Sequence, residues 1–522
     1  MTEPLASPQV SGQKMRRSAA LILGVVVTVV LQLQLTAAQS PWSPVVPAGT
    51  SPMPRRSHVS LLLESRDEIF IFAGIGAECR LCFGGDLMMQ GKSCSSDAAC
   101  SGGGECRVVS YCPLRDSWLF NILSLEFTPV EMPGNAVMAP AVDSAAAGLW
   151  MPDDPDKMAA LVWGGRTFER SACPNTPADK DCLVSDVWKL SLGSAQPAWE
   201  KMSVLSEEKP TGRIGHSINM MSDGSMVVYG GSDGQQVYED IWIFTSQLNI
   251  NSGRWTRVEV DHTRSPGPGR RFYHSATFYE ISGAAPDTGH VLVFGGFDDV
   301  SVLRSDLWLL QINQANASWT SLDPSTIRPS PRAAHSTVLF NGQILVMNGQ
   351  GNVGQGSQSV MFDSWIFDIA LERWQRRQLR GASIPRVAYH TQHYAAGPGL
   401  LFVLFGATNR EAVSNNVYYT PVGKMEWTTV RPTGMQPSPR SGVSAAAFGM
   451  DMAIFGGTSP RLGLNGETWC VCVCVCVFVC VCACVRAPVC VCVCVCACAW
   501  SCACACARAR VRVCACACAL CA

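Results

Sequence analysis

Twelve of the fifteen tryptophans fall at two recurring positions of one repeat, and a repeat of this length constrains the fold more than any other property of the chain. The clearest copy runs from Arg213 through SMVVYGG, ending at Gly231, to Asp240, Trp242 and Trp255. The order returns from Arg270 (HVLVFGG ending at Gly296, Asp306, Trp308, Trp319) and from Arg332 (His335, LVMNG, Asp363, Trp365, Trp374). It returns again from Arg386 (His390, FVLFGA, Asn416, Tyr418, Trp427) and Arg440 (MAIFGGT, Trp469). Two earlier copies are stretched by insertions: Arg56, His58, IFIFAG, Asp116 and Trp118, then ALVWGG, Asp186, Trp188 and Trp199.

Each copy holds four short runs rich in Val, Ile, Phe, Tyr and Trp, separated by Gly, Pro, Asn and Ser, the pattern of four antiparallel strands. A four-stranded sheet cannot bury both faces alone, so such units pack radially and shield one another. The double glycines that end the second strand, Gly164 and Gly165, Gly230 and Gly231, Gly295 and Gly296, and Gly456 and Gly457, permit positive φ and close approach of a neighbouring backbone. The paired tryptophan positions supply apolar area for packing between sheets.

With a hydrophobic strand, Gly-Gly and an aromatic about 11 or 12 positions later, these residues resemble the Kelch family, over roughly Trp42 to Trp469. The resemblance implies an all-β propeller, read here as seven blades of four antiparallel strands, with six blades and loose ends as the alternative. The last-strand Trp of a regular copy precedes the next Arg by 12 to 15 residues, and Trp42 precedes Arg56 by 14. The segment around Trp42 is therefore expected to be the outer strand of the last blade.

The two ends differ from the body. Lys14, Arg16 and Arg17 precede AALILGVVVTVVLQLQL and small residues up to Ala38, so residues 1–38 read as a secretory signal peptide, or alternatively a signal anchor. At the other end, 19 of the 27 cysteines alternate with Val and Ala within 470–522. That tail reads as translated microsatellite sequence and is excluded from fold reasoning. The propeller then spans 39–469. The chain as a whole carries −1; the tail adds four arginines and the leader is basic, so the body is distinctly acidic. An acidic body disfavours nucleic acid and anionic membrane as partners.

The body keeps eight cysteines, all in two insertions between the second and third strands of adjacent blades. Cys79, Cys82, Cys94, Cys100, Cys106 and Cys112 lie in the insertion 78–113, and Cys173 and Cys182 in the insertion 166–185. In an exported chain this is a disulfide framework, with Cys173 and Cys182 the simplest closed pair and the six others left unassigned. In an up-and-down blade the loop between strands two and three emerges at the same end as the connection to the next blade, so one face gathers the irregular material. The sequon at Asn316 lies between strands three and four, toward the opposite face, and is a candidate glycosylation site.

Five histidines (His58, His216, His274, His335, His390) recur at one place in the first strand, which argues for hydrogen bonding between blades rather than catalysis. The arginines at blade starts are structural first. Arg213, Arg270, Arg332, Arg386 and Arg440 are also candidate ligand-face residues, able to meet an acidic group on a ligand.

The function expected is that of a secreted or cell-surface module, or a type II anchored one, that binds a protein or glycan through the face bearing the Cys-rich insertion. The resemblance brings two alternatives. One is an enzyme similar to the copper radical oxidases, such as galactose oxidase, which need a Tyr cross-linked to Cys and further Tyr and His ligands. Here every body cysteine sits in an insertion, most histidines belong to the repeat, and the acidic segment around Asp153, Asp154 and Asp156 reads as a turn. No catalytic, metal or cofactor residue is assigned, and no cofactor is expected. The other alternative is an intracellular adaptor, which the cysteine pattern opposes.

Overall fold

A computed structural model of the protein describes residues 42–45 and 51–472, with interruptions in connecting loops (the longest at 84–95), and three stretches of the tail, 479–484, 490–495 and 514–516. The candidate leader, 1–38, lies outside the described residues. Among the described residues no helix is long and apolar enough to cross a membrane. Residues Pro41–Val471 form one compact unit.

Six blades are each wound from one stretch of chain. Blade 1 comprises Val59–Leu63, Glu68–Phe72, Ser117–Asn121 and Glu126–Pro129; blade 2, Ala146–Trp150, Ala159–Trp163, Trp188–Ser191 and Ala198–Lys201. Blade 3 comprises Ser217–Met220, Met226–Tyr229, Ile241–Gln247 and Ser252–Arg257; blade 4, Ser275–Phe278, Thr288–Phe294, Leu307–Asn313 and Asn316–Ser321. Blade 5 comprises Ser336–Phe340, Gln343–Met347, Ser364–Asp368 and Arg373–Arg377; blade 6, Thr391–Ala395, Leu400–Leu404, Val417–Pro421 and Glu426–Thr429. These contiguous units number six, the count offered above as the alternative.

One more four-stranded sheet is composite. Ser444–Phe448, Asp451–Phe455 and Thr468–Cys472 take Trp42–Val45 as their outer strand, with Trp42 opposite Val471 and Val45 opposite Thr468. The Trp42 spacing points to this pairing. The inner strands adjoin one another in cyclic order, and Val59–Leu63 meets Ser444–Phe448.

A circle of hydrogen bonds explains the second glycine. Gly74, Gly165, Gly231, Gly296, Gly349, Gly406 and Gly457 each donate an N–H to a carbonyl at the start of the next sheet: Val142, Arg213, Arg271, Arg332, Val387, Arg440 and Arg55, at 2.9–3.1 Å. The last of these, Gly457 to Arg55, closes the circle. In the four sheets where the preceding residue is also glycine, the same neighbour crowds the space a side chain would need, whereas Ala73, Asn348 and Phe405 stand there in the other three. A Cβ on Gly295, at φ +66°, would lie 2.8 Å from the Arg332 carbonyl and 3.0 Å from the His335 ring, closer than packed atoms tolerate.

Outer tryptophans pack backward onto the preceding blade. Trp199 meets Phe72 at 4.6 Å, Trp255 meets Trp163 at 5.5 Å, Trp319 meets Tyr229 at 5.1 Å and Trp374 meets Phe294 at 5.4 Å between ring centres. The connections to blades 3, 4 and 6 add short parallel strands, Ser203–Val204, Glu259–Val260 and Arg380–Gly381, along the outer edges, covering backbone groups that would otherwise invite edge pairing.

The histidines bind the serine that opens the preceding inner strand. His58 Nε2 lies 2.6 Å from Ser444 Oγ, His274 2.9 Å from Ser217, His335 3.0 Å from Ser275 and His390 2.6 Å from Ser336. His216 breaks the pattern because the corresponding residue of blade 2 is Ala146, so its buried ring has no serine partner and faces the Trp163 and Arg213 backbone. Ala146→Ser is therefore expected to raise stability by about 1 kcal/mol by supplying the missing hydrogen bond. Urea denaturation would check it, an unchanged or lower midpoint refuting the repair.

In the tail, Val479–Cys484, Cys490–Val495 and Cys514–Cys516 form a three-stranded antiparallel sheet, the local outcome of strict alternation between Cys and Val or Ala.

Candidate functional site

The connections between strands two and three, and those between sheets, bring the charged residues of the repeat together at one end. In four blades a buried arginine grips the aspartate that precedes strand three. Arg332 donates from Nη1 and Nη2 to the two Asp363 oxygens, both at 2.7 Å, and a third bond reaches the Asn348 carbonyl at 2.9 Å. The Trp365 indole N–H completes the carboxylate at 2.7 Å. Arg55 with Asp116, Arg213 with Asp240 and Arg271 with Asp306 repeat the arrangement. Burial pushes the Asp306 and Asp363 carboxyls up, but hydrogen bonds from Arg271 and Arg332 and their charge outweigh it, holding both below the ordinary range.

This placement corrects the sequence reading of the arginines. Arg213, Arg332 and Arg440 are fully buried and spend their donors within the blade, so they are not surface groups. In the Arg-Arg pairs the inward residue is Arg55 rather than Arg56, and Arg271 rather than Arg270. In blade 6 the inward residue is Val387, leaving Arg386 exposed. The constant spacing of three residues to the histidine, as in Arg213 to His216 and Arg332 to His335, identifies the inward member. Of the five candidate ligand-face arginines, only Arg270 and Arg386 reach the surface.

Two residues after this inward position, every sheet carries a residue with left-handed backbone: Ser57, Ser144, Gly215, Tyr273, Ala334, Tyr389 and Gly442, with φ between 49° and 66°. The Tyr273 N–H bonds the Gly215 carbonyl at 2.9 Å and the Tyr389 N–H the Ala334 carbonyl at 3.1 Å, so these residues step from blade to blade. Small residues suit this backbone, whereas a bulky one is an outlier. The two tyrosines nevertheless occupy it with their side chains exposed. Burial pushes the Tyr273 hydroxyl up, the Arg166 guanidinium opposes the shift, and Asp143 and Tyr389 add to it. Tyr273 thus sits among groups from blades 2 and 6. Asp143 is buried, bonds Arg166 at 3.1 Å and keeps Oδ1 without a partner.

The Cys-rich insertions stand at the same end. In blade 1, Cys79–Phe83 pairs with Glu105–Val109, and Cys82 is disulfide-bonded to Cys100 with Cα atoms 5.5 Å apart. Cys106 and Cys112 are also disulfide-bonded, whereas the side chain of Cys79 and the whole of Cys94 lie outside the described residues. In blade 2, Cys173 is bonded to Cys182 with Cα atoms 5.8 Å apart. Glu169, buried in that insertion, takes the Ala141 N–H at 2.7 Å and pairs with Arg115 at the foot of the other insertion. The two insertions are therefore tied by charge. Asn316 is exposed at the start of the outer strand of blade 4, on the turn between strands three and four. Among the described residues no cluster of His, Cys, Asp or Glu is arranged to hold a metal ion.

Exposed apolar side chains are distributed unevenly. Of the twelve large exposed hydrophobic residues among the described residues, only Leu123 and Leu371 lie on turns between strands three and four. The other ten, including Met53, Phe168, Tyr273, Val300, Phe362 and Tyr389, lie on connections between strands two and three or between sheets. Sequence reading located the loops but missed the aromatic residues within them. Aligning the copies on the histidine, so that Phe272 and Tyr273 fall against Ile214 and Gly215, would have shown the contrast.

A family model finds the same repeat in this chain. The family model described as the KLHDC2/KLHL20/DRC7 Kelch-repeats domain matches residues 155–391 and 247–457. The chain is similar to Adagio-like protein 3 of Oryza sativa subsp. japonica, at 26% identity over 55% of this chain and 43% of that protein. It is also similar to Kelch domain-containing protein 3 of Homo sapiens, at 29% identity over 36% of this chain and 52% of that protein. The chain thus spans about half the length of these relatives. Among solved structures, "Structure of YjhT" aligns with a TM-score of 0.45 at 14% identity, covering 74% of this chain and 99% of that one.

Proposed function

The chain belongs to the Kelch-repeat family, and we propose that it is a non-catalytic scaffold, working outside the cell or at its surface, that binds a protein partner through the end carrying the Cys-rich insertions. The observation that carries this reading is the concentration of exposed apolar residues on the connections at that end, since interface centres are rich in aromatic and aliphatic side chains. The disulfides Cys82–Cys100 and Cys173–Cys182 support an oxidising compartment. They also weigh against a copper radical oxidase. All six body cysteines with described side chains are in disulfides, which leaves none of the six for a bond to tyrosine.

Two measurements on protein purified from its native cells test the reading. Non-reducing peptide mapping is expected to recover both disulfide-linked peptides and a sugar on Asn316; free thiols at these cysteines would return the protein to the cytosol. Hydroxyl-radical footprinting of the complex with its co-purifying partner is expected to protect Phe168, Phe362 and Tyr389 at least threefold while Leu123 and Leu371 stay reactive. Protection confined to the two leucines, or a partner that is purely glycan, would overturn the protein-binding face.

A further inference from the structure

Blade 4 differs from its neighbours at three repeat positions that meet at this end. It carries Phe272, Tyr273 and Phe297, where blade 3 has Ile214, Gly215 and Ser232 and blade 5 has Ala333, Ala334 and Gln350. Phe272 stacks on Phe297 with ring centres 5.5 Å apart and meets Tyr273 at 5.3 Å. The three rings continue into the loop after Phe297, whose tip presents Val300, 72% exposed, and Val302.

That tip is held rigid. Asp298, itself buried, accepts the N–H of Val300 at 3.1 Å and of Val302 at 2.7 Å through Oδ1, and pairs with Arg304 through Oδ2. The Asp298 N–H returns a bond to the Val302 carbonyl at 3.0 Å. An apolar tip fixed in this way loses little freedom on docking. Tyr273 points the same way, because its backbone sits at φ +52° while its side chain remains half exposed and gains little from burial. Strain at a position where small residues suffice is a mark of function.

Charge around the ridge indicates what it meets. Arg304 answers Asp298, but the single guanidinium of Arg270 stands 3.9 Å from both Glu239 and Asp299, all three well exposed. One cation shared between two carboxylates leaves the rim negative. A negative rim repels an anionic lipid surface and favours a basic one.

We propose that the ridge from Tyr273 to Val300 is the energetic centre of the protein-binding face, and that it receives an apolar patch of a partner protein bordered by lysine or arginine. This rests on the protein-binding reading given above. The photo-crosslinking residue p-benzoylphenylalanine, placed in the full chain at Val300, at Phe362 or at Leu371 and activated in native cells, tests it. The Val300 position is expected to yield one protein adduct at ten times the Leu371 level or more, with lysine or arginine flanking apolar residues in the linked peptide. Tyr273→Gly should cut that yield at least tenfold and leave the thermal midpoint unchanged or higher.

An adduct from Phe362 without one from Val300 would sink the ridge and spare the face. Adducts from Leu371 alone, or from none of the three, would remove the face as well. A lipid adduct, a second copy of this chain, or an acidic border in the linked peptide would overturn the stated partner. A midpoint that falls by several degrees in Tyr273→Gly would make the ring structural.

Discussion

Lowering the pH from 7 to 5 is expected to remove most of the stability of this propeller, before the carboxylates begin to titrate. Six histidines are responsible: burial, aided in four of them by the charge of a neighbouring arginine or histidine, lowers His58, His216, His274, His335 and His390 to about 3, and burial lowers His393 to about 4. At His58, His274, His335 and His390 the Nδ1 is enclosed without a partner, so a second ring proton would have nothing to bond. The unfolded chain titrates near 6.5 and therefore binds more protons than the folded one between that pH and about 3. Stability is complete above 6.5 and declines as pH falls through this window.

At pH 5 the loss is at most about 2 kcal/mol per ring, and even half of that over six rings is ~6 kcal/mol against a typical total of ~5–15 kcal/mol. Urea denaturation at pH 7, 6, 5.5 and 5 would show the decline. A midpoint that stays flat down to pH 5 would mean the rings are hydrated in solution. His335→Gln should reduce the slope by about one ring's share, whereas a variant at His290, whose ring is only partly buried and is lowered by that burial, should reduce it by less.

The order of the sheets, the glycine pairs, the two tryptophan positions and the outer strand at Trp42 were legible because each repeats, and repetition averages away local ambiguity. The inward arginine was misread where two arginines adjoin, since Arg55 and Arg56 or Arg270 and Arg271 have the same chemistry and differ only in the phase of one turn. The aromatic ridge was not legible for the opposite reason. Phe272, Tyr273 and Phe297 depart from the repeat, and a search for shared features passes over what one blade has alone. Exposure of Val300 depends on Asp298 pinning a loop, a property of hydrogen bonding that composition does not carry.

Truncating Arg332 is expected to be the most damaging single substitution in the molecule, and the chain itself carries the remedy. Its guanidinium is fully buried and holds Asp363 in a bidentate pair; Arg332→Ala would strand a largely buried carboxylate and open a cavity, at a cost of about 3–5 kcal/mol. Blade 6 shows how a sheet forms without the pair. There Val387 takes the arginine position, Asn416 the aspartate position and Tyr418 the tryptophan position, with Asn416 Nδ2 donating to the Tyr418 hydroxyl at 3.1 Å. All three members of the charged set have changed together. The triple replacement Arg332→Val, Asp363→Asn and Trp365→Tyr should therefore recover at least ~2 kcal/mol of the loss, because no unpaired charge remains buried. Denaturant midpoints of the single, double and triple variants would measure the coupling. A triple variant no more stable than Arg332→Ala would mean that the arginine acts through its bond to the Asn348 carbonyl and its packing, and that blade 6 holds together by contacts blade 5 does not share.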